Sequence, residues 1–402
     1  MIGRLKRDLE QLGNIGKDAR GGVARPTFSQ ADLEARSFLI ELMGQAGLHI
    51  STDAAANIIG IRAGRQKSPL ISTGSHIDTG IMWGIFDGPL GVIGGIESIR
   101  MMNDENITTD LPIAIMCFTD EEGTYLSLAG SKFFSGALSK EELYRTTNKY
   151  DGSKFGDLVP RALKNGIIER FTTPIKSHIE LHIEQGPILE KQNLQIGILS
   201  GIVGIRWINL TLKGQQAHAG ATPMNLRRDP TIPASNMILE VRHIALSFKD
   251  MVGTCGVIKV TPNVINAIPR EVHLGVDLRS LDRKELDIAA QQVIENSKKA
   301  ASEENCELEY SISEAANPAI FSRNVISVIK DATVALGYSH TIMPSRAGHD
   351  TQNLANQSEV GMIFVPSKGG ISHAPEEWTE FEQAHNGVEV LKKSLTKLAT
   401  VH

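Results

Sequence analysis

One stretch, Ser72 to Gly123, constrains what this chain can fold into more than any other. It reads Ser-Thr-Gly-Ser-His76-Ile-Asp78-Thr, then Phe86-Asp87-Gly-Pro-Leu-Gly, then Cys-Phe-Thr-Asp120-Glu121-Glu122-Gly. Each cluster of acid and imidazole follows an apolar run of strand character (69–73 and 111–118) or opens a helix-like run (87–102). In an open α/β sheet the carboxyl ends of neighbouring strands face one crevice, so residues far apart in sequence can converge there. A metal site is assembled in this way.

The rest of the chain extends that pattern. Ser29-x-x-Asp32 is a capping signature that opens a helical stripe of Leu33, Phe38, Leu39 and Leu42 before a glycine stop. After Asp87, Gly91, Gly94 or Gly95 and Ser98 share one side of a helix, and small residues at that spacing let it lie close to a sheet. The same glycines match neither G-x-G-x-x-G nor a Walker loop, so a nucleotide site has little support. The continuous apolar run 111–118 suits a strand covered on both faces. Strands alternating with helices make this part α/β, with a mainly parallel sheet.

Between Ser177 and Glu184, His178, Glu180, His182 and Glu184 alternate with Ile179, Leu181 and Ile183, which predicts a strand with one apolar and one polar face. For His178, Glu180 and Glu184 the expectation is the wet face of an edge strand. From Arg206 to Tyr310 the order becomes β-α-β-β-α-β, a ferredoxin-like unit. The first pattern then resumes and closes with a helix from Phe381 to Leu398. The division expected is a discontinuous catalytic domain, 1–205 and 316–402, with residues 206–315 inserted as a second domain.

A chain of 402 residues is long for one core, which agrees with two domains. Its 41 basic and 46 acidic residues are intermixed and leave a net charge of -5, so there is no footprint for nucleic acid or an anionic membrane. A small-molecule partner fits better. The opening segment is charged and no apolar run approaches the ~18 residues of a membrane span, so the expected location is cytoplasmic. Cys117, Cys255 and Cys306 are isolated, which argues against a disulfide framework and a thiolate zinc site. There is no G-x-S-x-G elbow and no His-Glu-x-x-His.

Five groups remain that can make a pair of cation sites: His76, Asp87, Glu122, His182 and His373. Singly, each reads as a solvated turn or a capping pair; together they lie at strand ends or at a helix start. Imidazole with carboxylate and no thiolate suits zinc, manganese, cobalt or nickel. One aspartate whose two oxygens reach different ions can bridge a pair ~3.5–4 Å apart. Asp78 is placed to orient the His76 imidazole. Glu121, beside Glu122, can take a proton from water and return it to a leaving nitrogen.

Seven motifs together resemble one family. They are Gly-Ser-His76-Ile-Asp78-Thr, Phe-Asp87-Gly-x-Leu-Gly-Val, Glu121-Glu122-Gly, His182-Ile-Glu-Gln185-Gly-Pro-x-Leu-Glu, His218-Ala-Gly-x-Thr-Pro-Met, Ala-Gly-His349-Asp350 and Ile-Ser-His373-x-Pro-x-Glu. The set resembles the hydantoinase/carbamoylase-type amidases: N-carbamoyl-L-amino-acid hydrolases, allantoate amidohydrolases and β-ureidopropionases, relatives of dinuclear metallo-aminoacylases and carboxypeptidases. The resemblance implies that His76, Asp87 and His182 hold one divalent ion, that Asp87, Glu122 and His373 hold the other, and that Glu121 is the base. It implies oxyanion donors in His218 and Asn266, a carboxylate clamp in Arg279, and substrate-binding roles for Gln185, His349 and Asp350. It also implies that the inserted domain acts as lid and homodimer interface.

The chain departs from the family pattern at several positions. Tyr125-Leu126 stands where Arg-Phe is usual, Arg270 and Arg346 stand where glycine is common, and the loop Gly80-Ile-Met-Trp83-Gly is bulkier and more apolar. The expectation is a dinuclear amidohydrolase, manganese or zinc first among its metals, cleaving the carbamoyl group of N-carbamoyl-L-amino acids or ureido acids such as allantoate by attack of metal-bound hydroxide. The alternatives are an N-acyl amino-acid hydrolase or dipeptidase with the same centre, and a non-catalytic, metal-stabilised binding protein.

Overall fold

A computed structural model describes residues 2–401, and the chain divides into two compact units. One unit runs up to Ser200 and resumes at Phe321; the other is Gly201–Ile320. Among the described residues the strands before the division are β1 (His49–Thr52), β2 (Ile58–Arg62), β3 (Leu70–His76), β4 (Ile113–Phe118), β5 (Ile175–Ile183) and β6 (Ile196–Ile202). The second unit carries β7 (Gly204–Lys213), β8 (Ala217–His218), β9 (Val252–Thr261), β10 (Ala267–Ile268), β11 (Glu271–Ser280) and β12 (Glu307–Ala316). Last come β13 (Ala319–Ile320), β14 (His340–Ser345) and β15 (Glu359–Val365).

In the first unit the sheet order is β1-β2-β4-β3-β5-β15-β6, with β14 also on β6. Its centre is parallel: β3 runs with β4 and with β5, and β5 runs with β15. The flanks turn antiparallel, β2 against β4 and β6 against β15. The four parallel strands therefore end along one edge, where His76 pairs with Phe118 and Ile183 with Val365. Every residue of β3 and β4 is buried, as continuous apolar strands between two helical layers should be.

The helix Pro89–Asp104 lies hard against this sheet because its contact face is glycine. A Cβ at Gly91 would fall 2.6 Å from the Leu181 carbonyl oxygen, and one at Gly95 would fall 3.2 Å from both Ile115 and Thr73. The closing helix Phe381–Ala399 completes the core through Val388, Leu391 and Leu395. Ser29 caps the helix Gln30–Gln45 by accepting from the Asp32 amide, as its sequence pattern indicates.

β5 corrects one expectation. It lies between β3 and β15, and His178, Glu180, His182 and Glu184 are all buried, so no face of it is wet. Its polar residues find partners inside the protein. His178 Nδ1 lies 2.9 Å from the Ser72 hydroxyl. Glu180 accepts from Ser75 Oγ at 2.7 Å and from the Thr351 amide at 3.0 Å. Glu184 accepts from the Ile188 and Leu189 amides at 2.7 and 2.8 Å, at the start of the short helix Ile188–Lys191.

The second unit has a four-stranded antiparallel sheet in the order β12-β7-β11-β9. With the helices Thr231–Ser247 and Arg283–Glu303, this is the ferredoxin-like arrangement that the β-α-β-β-α-β order implies. Residues of β11 alternate between buried and partly exposed, with Val272, Leu274, Val276 and Leu278 packing on the helices. The small pair β8–β10 carries His218 opposite Ala267.

Candidate metal centre

His76 is the last residue of β3, and its Nδ1 lies 3.0 Å from the Asp78 backbone carbonyl. A carbonyl oxygen only accepts, so Nδ1 carries the proton and Nε2 keeps its lone pair for a cation. His182, at the carboxyl end of β5, repeats the arrangement with the Ile183 carbonyl at 2.9 Å. Gly88 allows the approach of Asp87 to His76. Its φ is 82°, and a Cβ there would fall 2.4 Å from the His76 ring.

Asp87 turns its two carboxylate oxygens to different partners. Oδ1 lies 3.2 Å from His182 Nε2 and 3.9 Å from His76 Nε2. Oδ2 lies 3.1 Å from His373 Nε2, 2.8 Å from the Gln185 side-chain amide and 2.9 Å from the Ser372 hydroxyl. Glu122 Oε1 is 3.8 Å from His373 Nε2, and Glu121 Oε2 is 3.8 Å from His76 Nε2. The ligand atoms of His76, Asp87 and His182 all lie within 4.8 Å of one another, and so do those of Asp87, Glu122 and His373. The residues fit divalent cations on a further count: His182 Nε2 is buried and makes no hydrogen bond.

Charge is crowded here. Burial pushes Glu121 well above the usual carboxylate range, and Glu122, Asp350, Asp78 and Asp87 push the same way. Glu122 is raised likewise by burial and by Asp87. Burial also disfavours ionisation of Asp87, but the His182 and His373 imidazoles beside it outweigh that and hold its carboxyl well below its ordinary value. Burial alone would lower His182; the Asp87 carboxylate reverses the sign and carries it to about 9. His76 is pushed down to about 4, chiefly by burial. Acids packed this closely are the environment that bound cations relieve.

Three non-glycine residues of the site hold left-handed backbone: Asp120 (φ 60°), Gln185 (φ 57°) and His373 (φ 55°). Each costs on the order of 1 kcal/mol, and such strain collects at functional sites. Asp120 fixes its turn by accepting from the Thr124, Tyr125 and Leu126 amides.

Asp78 stands beside His76, with its carbonyl 3.0 Å and a carboxylate oxygen 3.7 Å from Nδ1. Its backbone carbonyl, not its carboxylate, orients His76; the carboxylate accepts from the Glu121 and Glu122 amides at 3.3 and 3.1 Å and so holds the acidic doublet in place. His349 and Asp350 are 2% and 0% exposed. The His349 ring lies 4.5 Å from that of His182 and its Nε2 is 2.9 Å from Ser345 Oγ, so the pair backs the ligand shell. Gln185 lies between Asp87 and His373, at 3.2 Å from His373 Nε2.

Sequence reasoning gave Glu377 no role. Its Oε1 accepts from the Phe86 and Asp87 amides at 3.1 Å each, and Oε2 is 3.0 Å from Ser372 Oγ. It grips Asp87 from behind. It is the glutamate that closes the Ile-Ser-His373-x-Pro-x-Glu motif, and its neighbour Glu376 is exposed. Among the departures, Tyr125 is buried in an aromatic cluster with Phe28 and Phe155, while the Trp83 indole stacks on His373.

His218, Asn266 and Arg279 belong to the second unit. His218 Nδ1 accepts from the Gly220 and Ala221 amides at 3.1 and 3.2 Å, so the proton is on Nε2, where it can be donated. The Asn266 side chain is exposed beside β10 and its backbone carbonyl accepts from the Ala219 amide. Arg279 is already engaged with Asp277, through Nε at 2.8 Å and Nη2 at 3.2 Å, and Asp277 also accepts from Trp207 Nε1.

Residues 63–397 match peptidase family M20/M25/M40. The chain is 36% identical over 403 residues to an N-carbamoyl-L-amino acid amidohydrolase of Geobacillus stearothermophilus, covering 98% of each chain. It is 33% identical over 416 residues to a ureidoglycolate hydrolase of Arabidopsis thaliana, covering 98% of this chain and 86% of that one. A hydantoinase/carbamoylase family amidase from Burkholderia multivorans superposes with a TM-score of 0.96 at 32% identity, over 100% of this chain and 98% of that one.

Proposed function

The chain belongs to peptidase family M20/M25/M40, in its hydantoinase/carbamoylase amidase branch, and from that membership we propose a dinuclear metal-dependent amidohydrolase that removes the carbamoyl group of an N-carbamoyl-L-amino acid or a related ureido acid. It is a hydrolase of carbon–nitrogen bonds other than peptide bonds, in a metal-dependent family. The observation that carries the dinuclear reading is Asp87, whose Oδ1 faces His76 and His182 while Oδ2 faces His373.

A ureido carbonyl is a poor electrophile because both nitrogens donate into it. Two divalent ions, when bound, would polarise its oxygen and supply hydroxide near neutral pH. His76, Asp87 and His182 would hold one, and Asp87, Glu122 and His373 the other. Glu121 is the base: it takes a proton from water and delivers it to the leaving nitrogen. Its raised proton affinity suits a group that must keep that proton between the two transfers.

His218 Nε2–H and the Asn266 amide are the oxyanion donors, and the Arg279 guanidinium receives the substrate carboxylate. The products are the amino acid, ammonia and carbon dioxide. The second unit is lid and homodimer interface. Among the described residues no helix is long and apolar enough to cross a membrane, in keeping with a dissolved small-molecule substrate.

The test is a panel on manganese-loaded protein: N-carbamoyl amino acids, ureido acids, N-acetyl amino acids and dipeptides, scored by ammonia or amine release. Turnover of the ureido compounds above all others is expected. Faster release from acetyl or peptide substrates would transfer the assignment to an acylase or dipeptidase. Stoichiometric metal with no turnover would leave a binding protein.

A further inference from the structure

Three imidazoles converge on Asp87, and they are held in two ways. His76 and His182 each have a backbone carbonyl behind Nδ1, at 3.0 and 2.9 Å. Such an acceptor is the usual means of fixing a ligand ring, since it sets both tautomer and tilt. His373 has none: among the described residues its only ring hydrogen bond is between Nε2 and Gln185. It sits in a turn, its side chain is 46% exposed, and its polar contacts among the described residues are all at Nε2, with no acceptor behind Nδ1 to set the tilt of the ring.

What it has is Trp83. The indole and the imidazole are stacked, with centroids 3.7 Å apart and planes 10° from parallel. Trp83 is itself held from several sides. Its backbone pairs in both directions with Val23, at 2.9 and 2.8 Å. A Cβ at Gly80 would fall 2.3 to 2.7 Å from the indole, and one at Gly22 would fall 2.6 Å from the Trp83 carbonyl oxygen. Gly80 thus leaves room for the indole, and Gly22 lets the chain lie against the Trp83 backbone.

We propose that Trp83 is a positioning residue for the open half of the metal centre: by stacking, it does for His373 what backbone carbonyls do for His76 and His182. The indole face blocks rotation of the exposed ring and keeps Nε2 aimed at Asp87 Oδ2 and Glu122 Oε1, where the second cation is bound. The inference rests on the dinuclear reading above. It makes the second ion, and only the second ion, depend on a residue that donates no ligand atom.

The experiment is a titration of metal-free protein with cobalt(II) against a competing chelator, followed by visible absorption and by bound metal per chain. No substrate is used. Loss of an outer partner of a ligating histidine typically costs ~10–100-fold in metal affinity. Trp83→Ala should weaken the second equivalent by about that factor and leave the first unchanged; Trp83→Phe, which keeps a flat ring, should recover most of it. Cobalt also quenches nearby indoles, so a step in tryptophan emission at the second equivalent is expected in the wild type and should vanish in Trp83→Phe.

Two equivalents bound to Trp83→Ala as tightly as to the wild type would overturn the proposal alone. Equal weakening of both, with a lowered unfolding temperature, would overturn it in favour of a purely structural tryptophan. A wild type that takes up fewer than two equivalents would overturn it together with the dinuclear reading.

Discussion

His178 and His182 stand four residues apart on the same face of β5, both completely enclosed, and the protein treats them in opposite ways. Burial drives His178 down to about 3, whereas His182 rises to about 9 because the Asp87 carboxylate reaches it. Beside His178 stand the Ser72 hydroxyl and the Phe118 ring, and no carboxylate is hydrogen-bonded to it among the described residues. The difference lies in position along the strand. The carboxyl end opens on the edge where β4, β3, β5 and β15 all terminate, while four residues earlier the same strand runs through core. The crevice end should therefore govern turnover and metal, and the core end stability alone.

The largest expected effect is at the crevice end. Glu121→Gln keeps the shape of the side chain and removes its basicity, so turnover should fall by ~10²–10⁴-fold, the usual worth of a general base. Bound metal per chain and unfolding temperature should stay as in the wild type. Near-normal turnover would remove Glu121 from the mechanism and blur the contrast between the two ends of the strand.

Why one end of β5 was legible in the sequence and the other was not follows from the same geometry. His76, Asp87, Glu122, His182 and His373 were visible because apolar runs mark where strands end, and strand ends are where a parallel sheet gathers its chemistry. The alternation of His178, Glu180 and Glu184 with isoleucine and leucine carries the signature of a half-wet strand. Nothing local reveals that Ser72, Ser75, Thr351 and the amides of Ile188 and Leu189 wait on neighbouring elements to satisfy it. Glu377 closes a motif the sequence shows, but its role was hidden for a related reason: the Phe86 and Asp87 amides it accepts from lie on a distant element. The stack of Trp83 on His373 joins residues nearly three hundred positions apart. The Asp277–Arg279 pair, by contrast, is local, since residues two apart on a strand share a face, and it went unread because Arg279 was assigned to substrate.

Metal removal is the next test, with a smaller effect. A ligand present at 100-fold its dissociation constant stabilises the folded state by ~2.7 kcal/mol per site. Dialysis against a chelator should lower stability by about that amount for each ion removed at neutral pH, and manganese or zinc should restore it. The loss should be as large in His178→Asn as in the wild type, because His178 touches none of the proposed ligands. A chelation effect altered by His178→Asn would show that the two ends of the strand are coupled.

The smallest effect belongs to the core end and appears only in acid. His178 is neutral in the folded protein, with a value of about 3 against 6.5 for an exposed imidazole. Below 6.5 the unfolded chain takes up a proton that the folded chain refuses, so stability is complete above that pH and falls as pH drops towards 3. At pH 5 the gap of about 1.5 units in the unfolded state corresponds to roughly 2 kcal/mol. His178→Asn keeps a polar atom for Ser72 and cannot titrate. It should start less stable at pH 7, because it leaves a cavity, and lose about 2 kcal/mol less than the wild type between pH 7 and pH 5 in urea unfolding at each pH. Parallel pH curves would mean that His178 is protonated in the fold, and the two ends of β5 would then differ in location but not in charge.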